Sequence, residues 1–118
     1  MIRGEKVILR ALEDRDVEHL RIWRNHPDLM KYHFSDLPVS EAGQRRWYEN
    51  YAGDSGTIVF IIENEDQTQV GYTILKNLDY KNRQAEVGLY LDPAQQGKGY
   101  GNDAFLSLMQ FGLSQIVV

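Results

Sequence analysis

Three glycines alternate with other residues in one short stretch of the chain, Gln96-Gly97-Lys98-Gly99-Tyr100-Gly101. Apolar residues at helical spacing follow it, so the stretch lies at the start of a predicted helix. A helix N-terminus offers unpaired N–H groups and the positive end of the helix dipole, and glycines there let the backbone close around a phosphate. The chemistry expected of this stretch is the binding of an anion by backbone amides.

The spacing of the glycines separates this stretch from two widespread phosphate loops. Gly97, Gly99 and Gly101 do not form the G-x-G-x-x-G dinucleotide pattern, and Lys98 is not followed by the Ser or Thr of a Walker A loop. The pattern that fits is Gln-x-x-Gly-x-Gly over residues 96–101. A glycine-rich turn with only a structural role is the alternative.

A strand must lead into this loop and a helix must follow it. The apolar run within residues 85–91 predicts a strand, and Asp92-Pro93 ends it because proline cannot donate to a sheet ladder. Residues 102–111 carry apolar side chains at helical spacing. Strand, loop and helix therefore form one unit.

The remaining elements are predicted from periodicity and from caps. Strands are expected over residues 5–12, 57–63 and 69–76, and the start of another over residues 114–118. One helix begins at the acidic residues 13–16 and ends before Pro27, and a second follows Ser40 as its N-cap. Gly71 within a strand indicates a bulge or a close backbone approach. The predicted order is β, α, α, β, β, β, α.

Composition bounds the class of protein. With 118 residues, 42% of them hydrophobic, the chain is expected to form a single small domain over residues 1–118. A formal net charge of −4 argues against a nucleic-acid partner, and the lack of an apolar run of spanning length argues against a membrane partner. Since there is no cysteine and Pro27 interrupts the histidine spacing, no metal is expected. The expected location is the cytoplasm.

The loop, with Ala85-Glu86-Val87 and Asp92-Pro93 before it, resembles motif A of the GCN5-related N-acetyltransferases, the GNAT superfamily. The resemblance implies acetyl-CoA as cosubstrate. The strand would align the pantetheine arm through Leu89, Tyr90 and Leu91. The loop amides would hold the pyrophosphate at Gln96, Gly97, Lys98, Gly99, Tyr100, Gly101 and Asn102.

Glu86 is the candidate catalytic residue. An alkyl amine must lose a proton before it attacks a thioester, and in part of this family the glutamate at this place acts as the base. The expected reaction is direct attack in a ternary complex. The alternative is a carboxylate that pairs with Arg83 or with a neighbouring strand. The proton donor to the thiolate, usually a tyrosine beyond the fifth strand in this family, is not expected among residues 1–118.

The acceptor wall is expected in the segment over residues 23–36, with Tyr32, His33, Phe34 and Asp36 as substrate-binding residues. The Trp-Arg-Asn region of this segment is similar to that of spermidine, ribosomal-protein alanine and some amino-sugar N-acetyltransferases. The acceptor implied is therefore a primary amine: a polyamine, a protein N-terminus or an amino sugar.

The resemblance implies an α+β (α/β three-layer) fold with a mixed, mostly antiparallel central sheet flanked by helices. A further helix and two further strands would normally follow, so the chain is expected to be a GNAT domain truncated after the start of its fifth strand. A second copy could complete this layer, which makes a homo-oligomer the expected assembly. The alternative function is a catalytically silent CoA-binding or regulatory module.

Overall fold

A computed structural model of the protein describes residues 1–30, 38–54, 56–79, 81–82, 84–111 and 115–117. The chain divides into two compact units, Met1–Ala11 with Ser55–Val118, and Leu12–Asp54. None of the helices in the described ranges is both long enough and apolar enough to cross a membrane.

The first unit is a six-stranded sheet whose strands neighbour one another in chain order. Strands β1 to β5 pair antiparallel, and β6 pairs parallel to β5. The mixed, mostly antiparallel sheet is thus confirmed. The strands are β1 (Ile2–Arg3), β2 (Val7–Ala11), β3 (Ile58–Asn64), β4 (Gln69–Asp79), β5 (Gln84–Leu91) and β6 (Gln115–Val117).

Alternating side chains of this sheet form a core with one helix, here α4 (Tyr100–Phe111). Strand residues alternate between the two faces of a sheet, so Val7 and Leu9 of β2 and Ala85 and Val87 of β5 join the core. Val7 and Leu9 of β2 are 2% and 0% exposed and lie on the side of the sheet that faces the core. Others in this cluster are Ile62, Leu75, Ala85, Val87, Ala104 and Leu108.

Gly71 marks a close backbone approach, as the sequence predicts. It is opposite Leu91 in the pairing of β4 with β5, and a Cβ atom at Gly71 would lie 2.1 Å from the Tyr90 carbonyl oxygen. The pairing with β3 also shifts beside it, between Ile62 and Glu63. Both alternatives for this glycine, bulge and close approach, are therefore confirmed.

The described residues of the second unit form three α-helices, α1 (Val17–Arg24), α2 (Pro27–Met30) and α3 (Glu41–Tyr51), and a 3-10 turn, Asp14–Asp16. Ser40 caps α3 by accepting a hydrogen bond from the Gly43 N–H at 3.0 Å, as predicted. Helix α1 ends before Pro27, also as predicted. The sequence did not indicate α2, which Pro27 opens because a first helical turn needs no N–H from its first residue.

Candidate functional site

The loop between β5 and α4 has alternating backbone geometry. Gly97 and Gly99 have φ angles of +81° and +83°, while Lys98 between them is not in the left-handed region. Side chains with a Cβ atom rarely adopt such positive φ values. Alternation of this kind turns successive N–H groups to the same side of the chain and forms a concave anion site.

The N–H groups of residues 96–102 find no acceptor within the described part of the chain. The four residues 96–99 are exposed, and a Cβ atom at Gly97 would meet no atom within 4 Å. The helix bond nearest to the loop is made by the Asp103 N–H, which donates to the Gly99 carbonyl at 3.1 Å. Seven consecutive amides at a helix N-terminus therefore lack an acceptor in the described chain, and those of residues 96–99 belong to exposed residues that water or an anion can reach.

The side chains of the loop point in several directions. Gln96 Nε2 donates to the Leu91 carbonyl at 3.4 Å, and Lys98 Nζ donates to Gln95 Oε1 at 3.1 Å. Tyr100 is buried in the sheet core, where its hydroxyl accepts from Asn64 Nδ2 at 3.5 Å. Tyr100 can thus offer an anion only its backbone amide, whereas Asn102 is exposed with both side chain and amide.

Strand β5 has one partly open edge. Among the described residues, its parallel pairing with β6 covers Gln84, Ala85 and Glu86. The Asp92 N–H donates to the Val70 carbonyl of β4 at 2.8 Å. Because successive N–H groups of a strand point to opposite edges, those of Leu89 and Leu91 face away from β4. No described residue of β6 pairs with them, so this edge can receive an extended ligand.

Glu86 is exposed and occupies the face of β5 opposite to α4, since its neighbours Ala85 and Val87 are both in the core. Tyr90 has the same parity along the strand, and its ring stacks on Tyr72 with centroids 4.9 Å apart. The alternative partner Arg83 lies outside the described residues. Glu86 is therefore on the same strand as the open edge and available to solvent.

The predicted acceptor residues Tyr32, His33, Phe34 and Asp36 lie outside the described residues. The residues flanking them are held by Asn25, whose Nδ2 donates to the Val39 carbonyl at 2.9 Å and whose Oδ1 accepts from the Val39 N–H at 2.7 Å. Trp23 is 2% exposed, so its ring cannot line a wall as expected for this segment. Asn25 thus joins the end of α1 to Val39 through two hydrogen bonds.

The turn between β1 and β2 also reaches the loop, which sequence reasoning did not predict. The Asp103 carboxylate accepts from the N–H groups of Glu5, Lys6 and Val7 at 3.1, 2.7 and 3.0 Å. Lys6 Nζ donates to the Lys98 carbonyl at 3.3 Å. From sequence, an aspartate in the first turn of a helix reads as a complement to the helix dipole, so no local signal indicates this contact.

No group of three His, Asp or Glu side chains that could hold a metal occurs in the ranges that the structure describes. His33 is outside those ranges. The acetyl transfer that the resemblance implies uses backbone amides as hydrogen-bond donors and a carboxylate as the base.

A comparison with protein families finds one match that spans nearly the whole chain. The family described as "Acetyltransferase (GNAT) domain" matches residues 6–117. This match agrees with the resemblance in the loop and with the observed sheet.

Among curated proteins, the spermidine N(1)-acetyltransferase of Vibrio cholerae is 27% identical over 97 residues, covering 82% of this chain and 56% of that protein. Among solved structures, that of spermidine N-acetyltransferase from Vibrio cholerae in complex with CoA and spermine has a TM-score of 0.80 at 24% identity, over 89% of this chain and 62% of that one. A dodecameric structure of the same enzyme has a TM-score of 0.73 at 23% identity, over 89% and 61%. The chain spans about three fifths of these relatives.

Proposed function

This chain belongs to the acetyltransferase (GNAT) domain family, and we propose that it binds acetyl-CoA and transfers the acetyl group to a primary amine. Acetyl-CoA would supply the acetyl group as a thioester. A backbone loop, an open strand edge and one carboxylate have separate roles in this proposal.

The loop is proposed to hold the diphosphate of the cosubstrate. The single observation that carries the proposal is the run of seven N–H groups over residues 96–102 without an acceptor in the described chain. The exposure of residues 96–99 and the open space at Gly97 fit a ligand as large as a diphosphate. The dipole of α4 adds favourable electrostatic energy for a negative charge at this end.

The open edge of β5 is proposed to align the pantetheine arm and to polarise the reacting carbonyl. The Leu89 and Leu91 amides face away from β4 and can donate to an extended ligand as a neighbouring strand would. Where negative charge develops on a thioester oxygen, a fixed N–H donor such as that of Leu89 lowers the barrier. Tyr90 alternates to the sheet face, so its side chain would flank the arm.

Glu86 is proposed as the general base for the acceptor amine. It is exposed on β5, on the same strand as the amides assigned to the thioester. A carboxylate there can accept a proton from an ammonium group directly or through a water molecule. The acceptor is proposed to contact Tyr32, His33, Phe34 and Asp36, and to be a polyamine, a protein N-terminus or an amino sugar. The Vibrio cholerae relative named for spermidine supports the polyamine most directly.

Titration calorimetry with CoA and acetyl-CoA tests the cosubstrate assignment. We expect saturable binding of both, and lack of binding at millimolar ligand would contradict the assignment. A CoA-release assay with spermidine, peptides and amino sugars then tests catalysis. Binding without turnover on any acceptor would favour the silent module over the enzyme.

A homo-oligomer is proposed as the assembly. In the described chain β6 lies at the end of the strand order, with β5 as its neighbour, and such an edge can pair with another copy. A Vibrio cholerae structural neighbour is dodecameric. Gel filtration with mass measurement tests this, and a monomer at all concentrations would contradict it.

A further inference from the structure

We propose that the Lys6 ammonium group contacts the CoA diphosphate held by the loop. This lysine comes from the turn between β1 and β2, near the N-terminus of the chain. This inference rests on the proposed function, because it needs CoA as the ligand. It assigns a binding role to a residue outside the motif that carries the family resemblance.

The Lys6 side chain lies across the loop. Its Nζ donates to the Lys98 carbonyl at 3.3 Å, and a Cβ atom on Gly99 would lie 2.9 Å from that Nζ and 3.8 Å from Cδ and Cε. Both Lys6 and the loop are exposed, so the ammonium has protons to spare for another acceptor. Because the lysine side chain is long and flexible, its ammonium group can turn from the Lys98 carbonyl to an anion bound by the loop amides.

Asp103 sets the backbone from which Lys6 extends. Its carboxylate accepts three N–H groups of the turn, including that of Lys6 at 2.7 Å. Asp103 belongs to the first turn of α4, and its own N–H donates to the Gly99 carbonyl. Asp103 thus binds both the turn and the loop, and this fixes the position of the Lys6 backbone relative to the loop. Asp103 acts here as a positioning residue.

The two lysines near the loop differ in what they face. Lys98 Nζ donates to Gln95 Oε1, before the glycines, while Lys6 Nζ lies over the loop backbone. Each carries one positive charge on an exposed side chain. Replacing either lysine by Gln changes the net charge by the same amount. A difference between the two variants in the dissociation constant of CoA therefore reports the local contact and not the overall charge of the protein.

The experiment measures the dissociation constant of CoA for the wild-type chain, Lys6→Gln, Lys6→Arg and Lys98→Gln at low and high salt. We expect Lys6→Gln to weaken CoA binding by about fivefold, a typical effect of one exposed charged contact. Lys98→Gln should cost about twofold or less, and Lys6→Arg should restore most of the affinity. The Lys6 effect should shrink as salt rises.

A ligand series locates the contact. Dephospho-CoA keeps the diphosphate and lacks the 3′-phosphate, and pantetheine lacks both. The loss in Lys6→Gln should be the same for CoA and dephospho-CoA, and should vanish for pantetheine. A loss confined to CoA would overturn the diphosphate assignment. Thermal unfolding checks that Lys6→Gln stays folded, as expected of an exposed side chain.

Asp103→Asn completes a double-mutant cycle. If Asp103 positions Lys6, then Lys6→Gln should lose most of its effect on CoA binding in the Asp103→Asn background. Additive effects would overturn the positioning role. Wild-type chain that fails to bind CoA would refute the proposed function itself, whereas CoA binding that is equal in wild type and Lys6→Gln would refute only the role of Lys6.

Discussion

Near each end of β5 an aspartate carboxylate accepts hydrogen bonds from backbone N–H groups, but the donors lie at very different separations in sequence. At the loop end, the Asp103 carboxylate accepts the N–H groups of Glu5, Lys6 and Val7. These donors are separated from Asp103 in sequence by 98, 97 and 96 positions. At the Glu86 end, Asp79 accepts the backbone N–H and the side-chain Nδ2 of Asn82, three positions away, at 3.1 and 2.8 Å. Asp103 therefore joins distant parts of the chain, whereas Asp79 stabilises a local turn.

The difference indicates how each end is stabilised. The loop end depends on the complete sheet, because Asp103 can hold the β1–β2 turn only after α4 has packed on β2. Its amides are then arranged before any ligand arrives, which reduces the ordering cost of binding. The Glu86 end is set by a local turn and a short pairing with β6. Substitutions at the loop end should therefore alter stability, and those at the Glu86 end mainly the rate.

Gly71→Ala should give the largest effect. Its Cβ atom would lie 2.1 Å from the Tyr90 carbonyl oxygen and 3.0 Å from Leu91 Cα, both backbone atoms that cannot move alone. The loop end of β5 must then separate from β4. We expect the free energy of unfolding to fall by about 3 kcal/mol or more, measured by urea denaturation.

Gly53→Ala is the matched control, since its Cβ atom would lie 3.9 Å from the Asn50 carbonyl oxygen, an ordinary contact. It should change the free energy of unfolding by about 0.5 kcal/mol or less. Equal, small losses in the two variants would show that the close approach of β4 and β5 is not required.

Glu86→Gln should lower the turnover of acetyl-CoA with an amine by about a hundredfold, the usual contribution of a general base. The side chain is exposed, so the dissociation constant of CoA and the free energy of unfolding should stay unchanged. A CoA-release assay at saturating amine, together with calorimetry, measures both quantities.

Glu63→Gln is the control glutamate in the same sheet. It breaks the ion pair of Glu63 Oε2 with Arg10 Nε at 2.9 Å; because both side chains are mostly buried, we expect a clear loss of stability but little change in turnover. Comparable losses of turnover in the two variants would remove Glu86 as the base and leave it as a surface charge.

The loop, the strand before it and the helix after it could be predicted because their signals are local. Alternation places Val7 and Leu9 in the core, Ser40 caps the helix that follows it, and Gly71 marks the backbone approach. Each depends on residues within a few positions or on a single residue type with an unusual backbone role. The family resemblance then assigned the loop a ligand that spacing alone does not name.

The parts that could not be predicted depend on contacts between distant residues or on very short elements. Lys6 and Asp103 meet across about a hundred positions, and no periodicity encodes such a pair. Strand β1 has two residues and α2 has four, which is too short for a pattern to show. Trp23, at the start of the expected acceptor segment, is 2% exposed, and the Trp-Arg-Asn pattern alone does not indicate this burial.

Asp103→Asn should destabilise the chain by about 2 kcal/mol, since hydrogen bonds to a charged acceptor are stronger than neutral ones. An amide would also place its NH₂ group against at least one N–H of the turn. Ser107→Ala is the control, because it removes only the bond from Ser107 Oγ to the Asp103 carbonyl and should cost less than about 1 kcal/mol. Equal losses in both would show that the carboxylate adds nothing to the loop end.

The smallest effect is expected at the Asp79 turn. The side-chain and backbone hydrogen bonds from Asn82 lower the pKa of Asp79 below its ordinary value of 3.8. A lowered folded-state pKa stabilises the fold above the unfolded value, and this contribution is lost as pH falls through the folded pKa. Asn82→Ala removes the side-chain bond and keeps the backbone one, so it should move the pKa part of the way toward 3.8, measured by carboxyl NMR titration, and reduce that acid-dependent part of stability. Lys81→Ala is the control, because it keeps both Asn82 hydrogen bonds and should leave the pKa of Asp79 unchanged. A pKa shift as large as that of Asn82→Ala would mean that the charge of Lys81, and not the turn, determines the pKa of Asp79.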